Sequence, residues 1–164
     1  MREEEQKDSS GYVLVNGDIV EWYYQNELAV SFDLNDVIVV GEYTDASGPR
    51  FDDWFLVFVT RNDWWRISFF ASHIEELTQV LSSKLNTDLS ACSLANSTEW
   101  KSIIQYPKEL EGKALFQLTP TEKIKTPGNF WERVKAAAGL GSFDASQEIS
   151  ISQDVKQYVE AASR

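Results

Sequence analysis

Few residues of this 164-residue chain could do nucleophilic, acid–base or metal chemistry. His73 is the only histidine and Cys92 the only cysteine, which excludes multi-histidine zinc sites and an internal disulfide. The two could form a nucleophilic pair, because separation along the chain does not fix separation in the fold. No nucleophile signature surrounds Cys92, so we interpret it as a small buried side chain and His73 as part of a helix start.

Two adjacent aspartates, Asp52 and Asp53, with Asp45 nearby, raise the question of a cation site, since hard cations take several carboxylate oxygens. Adjacent residues of a strand point to opposite faces, so these two carboxylates do not converge. The segment also lacks the alternating ligands and the distal glutamate of calcium loops. We therefore expect no metal and no cofactor, and interpret the pair as structural or solvated acids.

The aromatic segment from Phe51 to Phe70 contains three tryptophans and five phenylalanines. Two β-rich runs on either side of Arg61-Asn62-Asp63 predict a hairpin, and strand alternation makes both of its faces apolar. Either C-terminal segments cover the second face, or an exposed aromatic patch there binds a partner or a second copy. The candidate interaction residues are Trp54, Trp64, Trp65, Arg66, Asp52 and Asp53.

Charge narrows the class of partner. The sequence has 26 acidic and 15 basic residues, a formal net charge of −11, and most of the excess lies in residues 12–86. An acidic surface repels nucleic-acid phosphates and anionic membranes, so we expect neither as a partner. The charge serves solubility or matches a basic partner protein.

The sequence predicts a cytoplasmic protein. Six of its first eight residues are charged and no apolar segment follows them. The longest apolar run, Trp54 to Val59, is far shorter than the roughly 20 residues of a membrane span. A single cysteine fits a reducing compartment.

Six short β-rich runs separated by turn signals predict a meander of antiparallel strands. Asn16-Gly17 is a strong turn signal, since both residues tolerate positive φ. The runs that precede the aromatic hairpin are Tyr12–Val15, Ile19–Tyr24, Glu27–Phe32 and Val37–Tyr43.

Helical patterns follow the strands. Ser72 with Glu75 has the spacing of a capping box, and apolar residues between Ile74 and Leu85 recur on one face. The further elements that the pattern predicts are a short helix from a second capping box at Asn96 and Glu99 through about Ile104, a strand at Lys113–Leu118, a helix at Phe130–Ala138 and a last helix capped by Ser152.

This order of elements, strands first and helices after, predicts an α+β fold rather than a parallel α/β sheet. We expect an antiparallel strand meander capped by an amphipathic helix, with appended C-terminal helices. The predicted divisions are a disordered N-terminus at 1–10, a single α+β domain at 11–119, and a helical C-terminal extension at 120–164 packed on that domain.

Three segments share a pattern with a known fold family: Tyr12–Ile19, Leu34–Val40 and the helix after Phe70. Over about residues 12–86 they resemble a bacterial pleckstrin-homology-like domain. The resemblance implies a small barrel or sheet, and for the family it implies phosphoinositide binding. That binding needs lysine or arginine at the first hairpin, and positions 8–49 contain neither, so we do not expect it here.

Three functional hypotheses remain from the sequence. The leading one is a non-catalytic protein–protein interaction module with an acidic surface, for instance an antagonist of a basic partner. The second is an enzyme or small-ligand binder that uses a pocket at the mouth of the barrel. The third is a self-assembling structural domain, a homo-oligomer in which the tail helices at about 128–162 pack on a neighbouring copy.

Overall fold

A computed structural model describes residues 10–44, 54–89, 94, 100–120 and 147–163. Within these residues the chain forms three antiparallel sheets and two α-helices, which confirms the predicted α+β class. The strands are β1 (Tyr12–Asn16), β2 (Ile19–Tyr24), β3 (Glu27–Asp33), β4 (Val39–Thr44), β5 (Trp54–Val59), β6 (Trp64–Ser68), β7 (Lys101–Tyr106), β8 (Phe116–Pro120) and β9 (Gln147–Ile151), and the helices are α1 (Ile74–Leu85) and α2 (Gln153–Ala162).

The first sheet has the order β1-β2-β3 and is joined by two tight turns. Gly17 has a φ of 64° in the first turn, and Gln25 and Asn26 have φ values of 52° and 63° in the second. Positive φ at these positions gives the turn twist that matches two paired strands. Strand alternation then sends Val20 and Trp22 inward, where both are buried.

The second sheet has the order β6-β5-β4-β7, and every residue of its inner strand β4 is buried. The prediction of a helix through Ile104 is wrong, because Lys101–Tyr106 is strand β7 and pairs with β4. Backbone hydrogen bonds to the buried strand β4, together with burial of apolar side chains such as Ile104, outweigh the local capping pattern.

Helix α1 begins one residue later than its capping box predicts. His73, with a φ of 66°, is the residue at the N-cap, and no side chain caps this helix. Ser72 instead extends the first sheet, since its carbonyl oxygen accepts from the Val13 N–H and its own N–H donates to the Gly11 carbonyl. Tertiary pairing of Ser72 with the sheet thus displaces the predicted cap.

The second sheet separates two hydrophobic clusters. Cluster 1 joins one face to the first sheet and to α1, and includes Leu56, Phe58 and Leu77. Cluster 2 joins the other face to the C-terminal elements, and the residues that those elements bring to it are Leu115, Phe116, Ile149, Ile151, Val155, Tyr158 and Val159. The protein's own C-terminal residues therefore cover the second face of the aromatic hairpin.

The C-terminal elements are a strand pair followed by a helix. Phe116 of β8 lies opposite Ile151 of β9, a strand that the sequence did not predict. Ser152 stands at the N-cap of α2, as its position in the sequence predicts, although its side chain makes no capping hydrogen bond. The predicted helix at Phe130–Ala138 lies outside the described residues.

Gly41 of β4 marks the point at which the C-terminal segment meets the second sheet. A Cβ atom there would lie 2.6 Å from the Ile103 carbonyl oxygen and 3.3 Å from Leu115 Cδ2. The close approach of the Ile103 backbone carbonyl requires glycine at this position, and the missing side chain also leaves room for Leu115 over the strand.

Replacing Val155 with alanine tests whether cluster 2 stabilises the fold. Val155 is fully buried, so Val155→Ala should lower the free energy of unfolding by about 1–3 kcal/mol through lost burial and a small cavity. Urea unfolding followed by tryptophan fluorescence measures the change. Gln157→Ala, at an exposed position of the same helix, is the control and should change stability by less than about 0.5 kcal/mol. Equal effects of the two variants would show that packing of α2 in cluster 2 does not stabilise the fold.

Candidate interaction site

An open groove lies beside the turn between β5 and β6. Its volume is about 490 Å³. The walls come from the end of β3 with the 3-10 turn after it, from the β5–β6 turn and from the end of α2. The residues that line the groove are Ser31, Phe32, Asp33, Asn35, Asp36, Ile38, Thr60, Arg61, Asn62, Asp63, Trp65 and Ala162.

Trp65 forms the aromatic wall of this groove. It follows the β5–β6 turn on β6, where it lies opposite Phe58 in the ladder and packs partly against cluster 1. The side chain is only half-buried, so part of the indole faces the groove. A half-buried indole held by a sheet is a rigid, electron-rich surface for a cation or an apolar group.

Three carboxylates stand around the groove against one basic side chain. Asp33 accepts a hydrogen bond from the Asn35 N–H at 2.8 Å, which fixes the start of the 3-10 turn Leu34–Asp36. Asp36 and Asp63 are exposed, and Arg61 is the basic residue among the lining side chains. The groove is therefore electronegative as well as aromatic.

Hydrogen bonds between Thr60 and Asp63 stabilise the β5–β6 turn. Thr60 Oγ1 donates to the Asp63 carbonyl oxygen at 3.0 Å and accepts from the Asp63 N–H at 3.2 Å. The Thr60 N–H also donates to the Asp63 carbonyl oxygen. These bonds fix the position of the Asp63 backbone relative to Trp65, which follows two residues later on β6.

A smaller groove of about 240 Å³ lies on the other side of the same turn. Trp64 lines it together with Lys156 and Glu160 of α2. The Trp64 ring also packs on Phe116, with ring centroids 4.8 Å apart. Trp64 and Trp65 thus stand on opposite sides of one turn, as strand alternation predicts.

Trp54 lines neither of these two grooves and instead contacts side chains of its own sheet. Its ring stacks on Phe69 with centroids 3.9 Å apart, and its Nε1 donates to Glu42 Oε2 at 2.9 Å. Gln105 Nε2 donates to the other carboxylate oxygen of Glu42 at 3.0 Å. Glu42 is fully buried, so Trp54 satisfies a buried carboxylate on the cluster 1 face of the second sheet.

Arg66 does not lie on an exposed surface. It is 4% exposed, its Nη1 donates to the Tyr43 hydroxyl oxygen at 2.8 Å, and its guanidinium carbon lies 4.8 Å from the centre of the Phe55 ring. An aromatic face and a hydroxyl solvate the cation within cluster 2. The residue that sequence reasoning placed among interface anchors is therefore part of the interior.

Of the remaining candidate residues, His73 lies within the described part of the chain and the others lie outside it. Asp52, Asp53 and Cys92 lie outside the described residues, and the pairing of Cys92 with His73 stays a hypothesis. The His73 side chain is exposed at the start of α1. The residues that the sequence did not single out are Asp33, Asp36 and Asp63, because nothing local indicates that the two turns carrying them meet.

Among the described residues, no group of three or more histidine, cysteine, aspartate and glutamate side chains is arranged to hold a metal ion. Neither helix of the described part of the chain is long and apolar enough to span a membrane. Searches of protein families, of curated proteins and of solved structures find no match to this chain. The likeness of residues 12–86 to a pleckstrin-homology-like domain stays a prediction.

Changing Trp54 to phenylalanine tests the structural role of its indole N–H. Phenylalanine can still stack on Phe69 but cannot donate to the buried Glu42, so Trp54→Phe should destabilise the protein by about 1–3 kcal/mol. The matched control is Trp100→Phe, because Trp100 Nε1 is buried and has no hydrogen-bond partner among the described residues. Chemical denaturation should give the larger loss for Trp54→Phe, and equal losses would contradict the role assigned to the hydrogen bond.

Proposed function

We propose that the protein is a non-catalytic interaction module, and that the groove beside the β5–β6 turn takes a basic side chain of a partner protein. The observation that carries this proposal is the placement of a half-buried Trp65 among Asp33, Asp36 and Asp63. A lysine or arginine gains a cation–π contact on the indole and at the same time donates charge-assisted hydrogen bonds to the carboxylates.

The charge of the whole chain supports the same class of partner. A net charge of −11 creates a field that attracts a basic protein from a distance and speeds its encounter. Such attraction weakens as salt is added, because the exposed carboxylates of the groove are screened.

The packing of the interior also favours a surface role. Both faces of the second sheet are filled by clusters 1 and 2, so the open space that Trp65 reaches is the external groove. The third hypothesis, self-assembly through the tail helices, gains nothing from α2, whose residues Val155, Tyr158 and Val159 pack on the sheet of their own chain.

A small organic cation is a second candidate ligand for the same groove. Its volume of about 490 Å³ falls within the range of about 300–1,000 Å³ that is usual for small-molecule sites. The same aromatic and acidic groups would hold an ammonium or guanidinium compound. The affinity for a small molecule with a single cationic group therefore has to be compared with the affinity for a basic peptide.

Titration of tryptophan fluorescence with a hexa-arginine peptide tests the proposal. The double variant Asp36→Asn/Asp63→Asn should weaken binding by about 2- to 30-fold, since each exposed charge pair contributes about 0.2–1 kcal/mol. The control is Glu109→Gln/Glu111→Gln, which removes the same charge at exposed positions outside the groove. Its affinity should stay close to that of the original protein.

Two further probes separate the alternatives. A hexaglutamate peptide should not bind. N-acetyl-arginine amide should bind much more weakly than hexa-arginine if the partner is a protein segment, and with similar affinity if the ligand is a small cation. Equal losses in the two double variants would refute the groove as the site and leave only a general attraction between opposite charges.

A further inference from the structure

The outer face of the first sheet is a second surface, separate from the groove. Alternation turns Leu14 and Ile19 away from cluster 1, and the β-bulge between β2 and β3 turns Leu28 to the same face. The exposed fractions of Leu14, Ile19 and Leu28 are 39%, 39% and 52%. Tyr12 and Tyr23 lie on the same face, with rings stacked at a centroid distance of 5.1 Å. Three exposed aliphatic side chains and a tyrosine pair on one small sheet form a patch of the kind that marks a binding surface.

The register of the sheet places a carboxylate in the middle of this patch. Glu21 on the central strand β2 lies opposite Leu14 of β1 and opposite Ser31 of β3. Its neighbours two residues away along β2, on the same face, are Ile19 and Tyr23. Glu21 is half-buried, and its Oε2 accepts a hydrogen bond from the Tyr23 hydroxyl at 3.3 Å.

Tyr12, Glu21 and Tyr23 are each half-buried, so this part of the face is partly shielded from water. Burial raises the pKa of the Tyr23 hydroxyl, and the negative charge of Glu21 raises it further. A carboxylate flanked by apolar groups interacts more strongly with an incoming cation than one in open water does.

No basic residue of these strands compensates the charge. Positions 8–49 contain no lysine or arginine. Lys84 of α1 reaches this sheet only at its corner, where it lies 2.7 Å from Asp18, lowering the pKa of that carboxyl through a hydrogen bond and its charge. Among the ion pairs of the described residues none involves Glu21.

We propose that this face binds a protein segment that presents apolar side chains around a lysine or arginine, with the cation meeting Glu21. The apolar residues of the partner would cover Leu14, Ile19 and Leu28. Charge complementarity selects this occupant. A second copy of the chain would bring acidic faces together, and an anionic membrane would be repelled.

This surface borders the groove at Ser31 and Asp33, but neither residue is changed in the variants that test the two proposals, so each proposal can fail without the other. Variants in β1, β2 and β3 test the face, and the variants Asp36→Asn and Asp63→Asn test the groove.

The test uses a decapeptide of alternating leucine and lysine and the ¹⁵N-labelled full chain. Amide chemical-shift changes should centre on β1–β3. The affinity should be at least about tenfold higher than for a serine–lysine decapeptide, which has the same charge without the apolar side chains. A leucine–glutamate decapeptide should not bind.

Three variants identify the contacts. Leu14→Ser/Leu28→Ser and Glu21→Gln should each weaken binding of the leucine–lysine peptide at least about fivefold. Leu118→Ser, the same change at a residue with a similar exposed fraction of 38% on β8, should not. Circular dichroism confirms that each variant is folded, and any variant that is not is replaced by the single change Leu28→Ser at the most exposed position.

Several results would overturn the proposal. Shift changes confined to the groove, or equal affinity for the serine–lysine peptide, would show that the apolar face does not take part. A concentration-dependent dimer abolished by Leu28→Ser would assign the face to a second copy. Binding to phosphatidylserine vesicles abolished by the same variant would assign it to a membrane.

Discussion

Water has to be kept from both faces of the four-stranded sheet β6-β5-β4-β7, because apolar side chains alternate to either side of it. Phe55, Val57 and Val59 point one way and Leu56 and Phe58 the other, and all five are buried. A single covering layer satisfies only half of this requirement. The first sheet with α1 supplies one layer, and β8, β9 and α2 supply the other, which makes the C-terminal residues part of the core.

Among the described residues, two charged side chains are buried in this arrangement, one on each face of the sheet. Glu42 faces cluster 1 and takes hydrogen bonds from Trp54 and Gln105, whereas Arg66 faces cluster 2 and meets Tyr43 and Phe55. The sheet stands between them, so each is stabilised by hydrogen bonds or an aromatic ring on its own side. Such fully specified polar contacts favour one register of the strands over others.

β-rich runs separated by turn signals were enough to predict the six N-terminal strands, and helical spacing of apolar residues was enough to predict α1. Strand alternation predicted the apolar character of both hairpin faces. It could not predict that Arg66 is buried, because alternation assigns a face and does not say what covers it. Strand β7 was missed because Asn96 and Glu99 give a local helix signal, whereas its pairing with β4 is non-local. The groove was missed for the same reason, since Asp36 and Asp63 lie in separate turns that only the fold brings together.

The late position of the second covering layer has a consequence for the order in which the chain becomes compact. During synthesis β4, β5 and β6 emerge long before β8, β9 and the helix that carries Val155. One aromatic face of the sheet therefore stays uncovered until the residues through α2 have also left the ribosome. In that interval the nascent protein is prone to association with other chains and is a natural client for a chaperone that binds exposed aromatic strands.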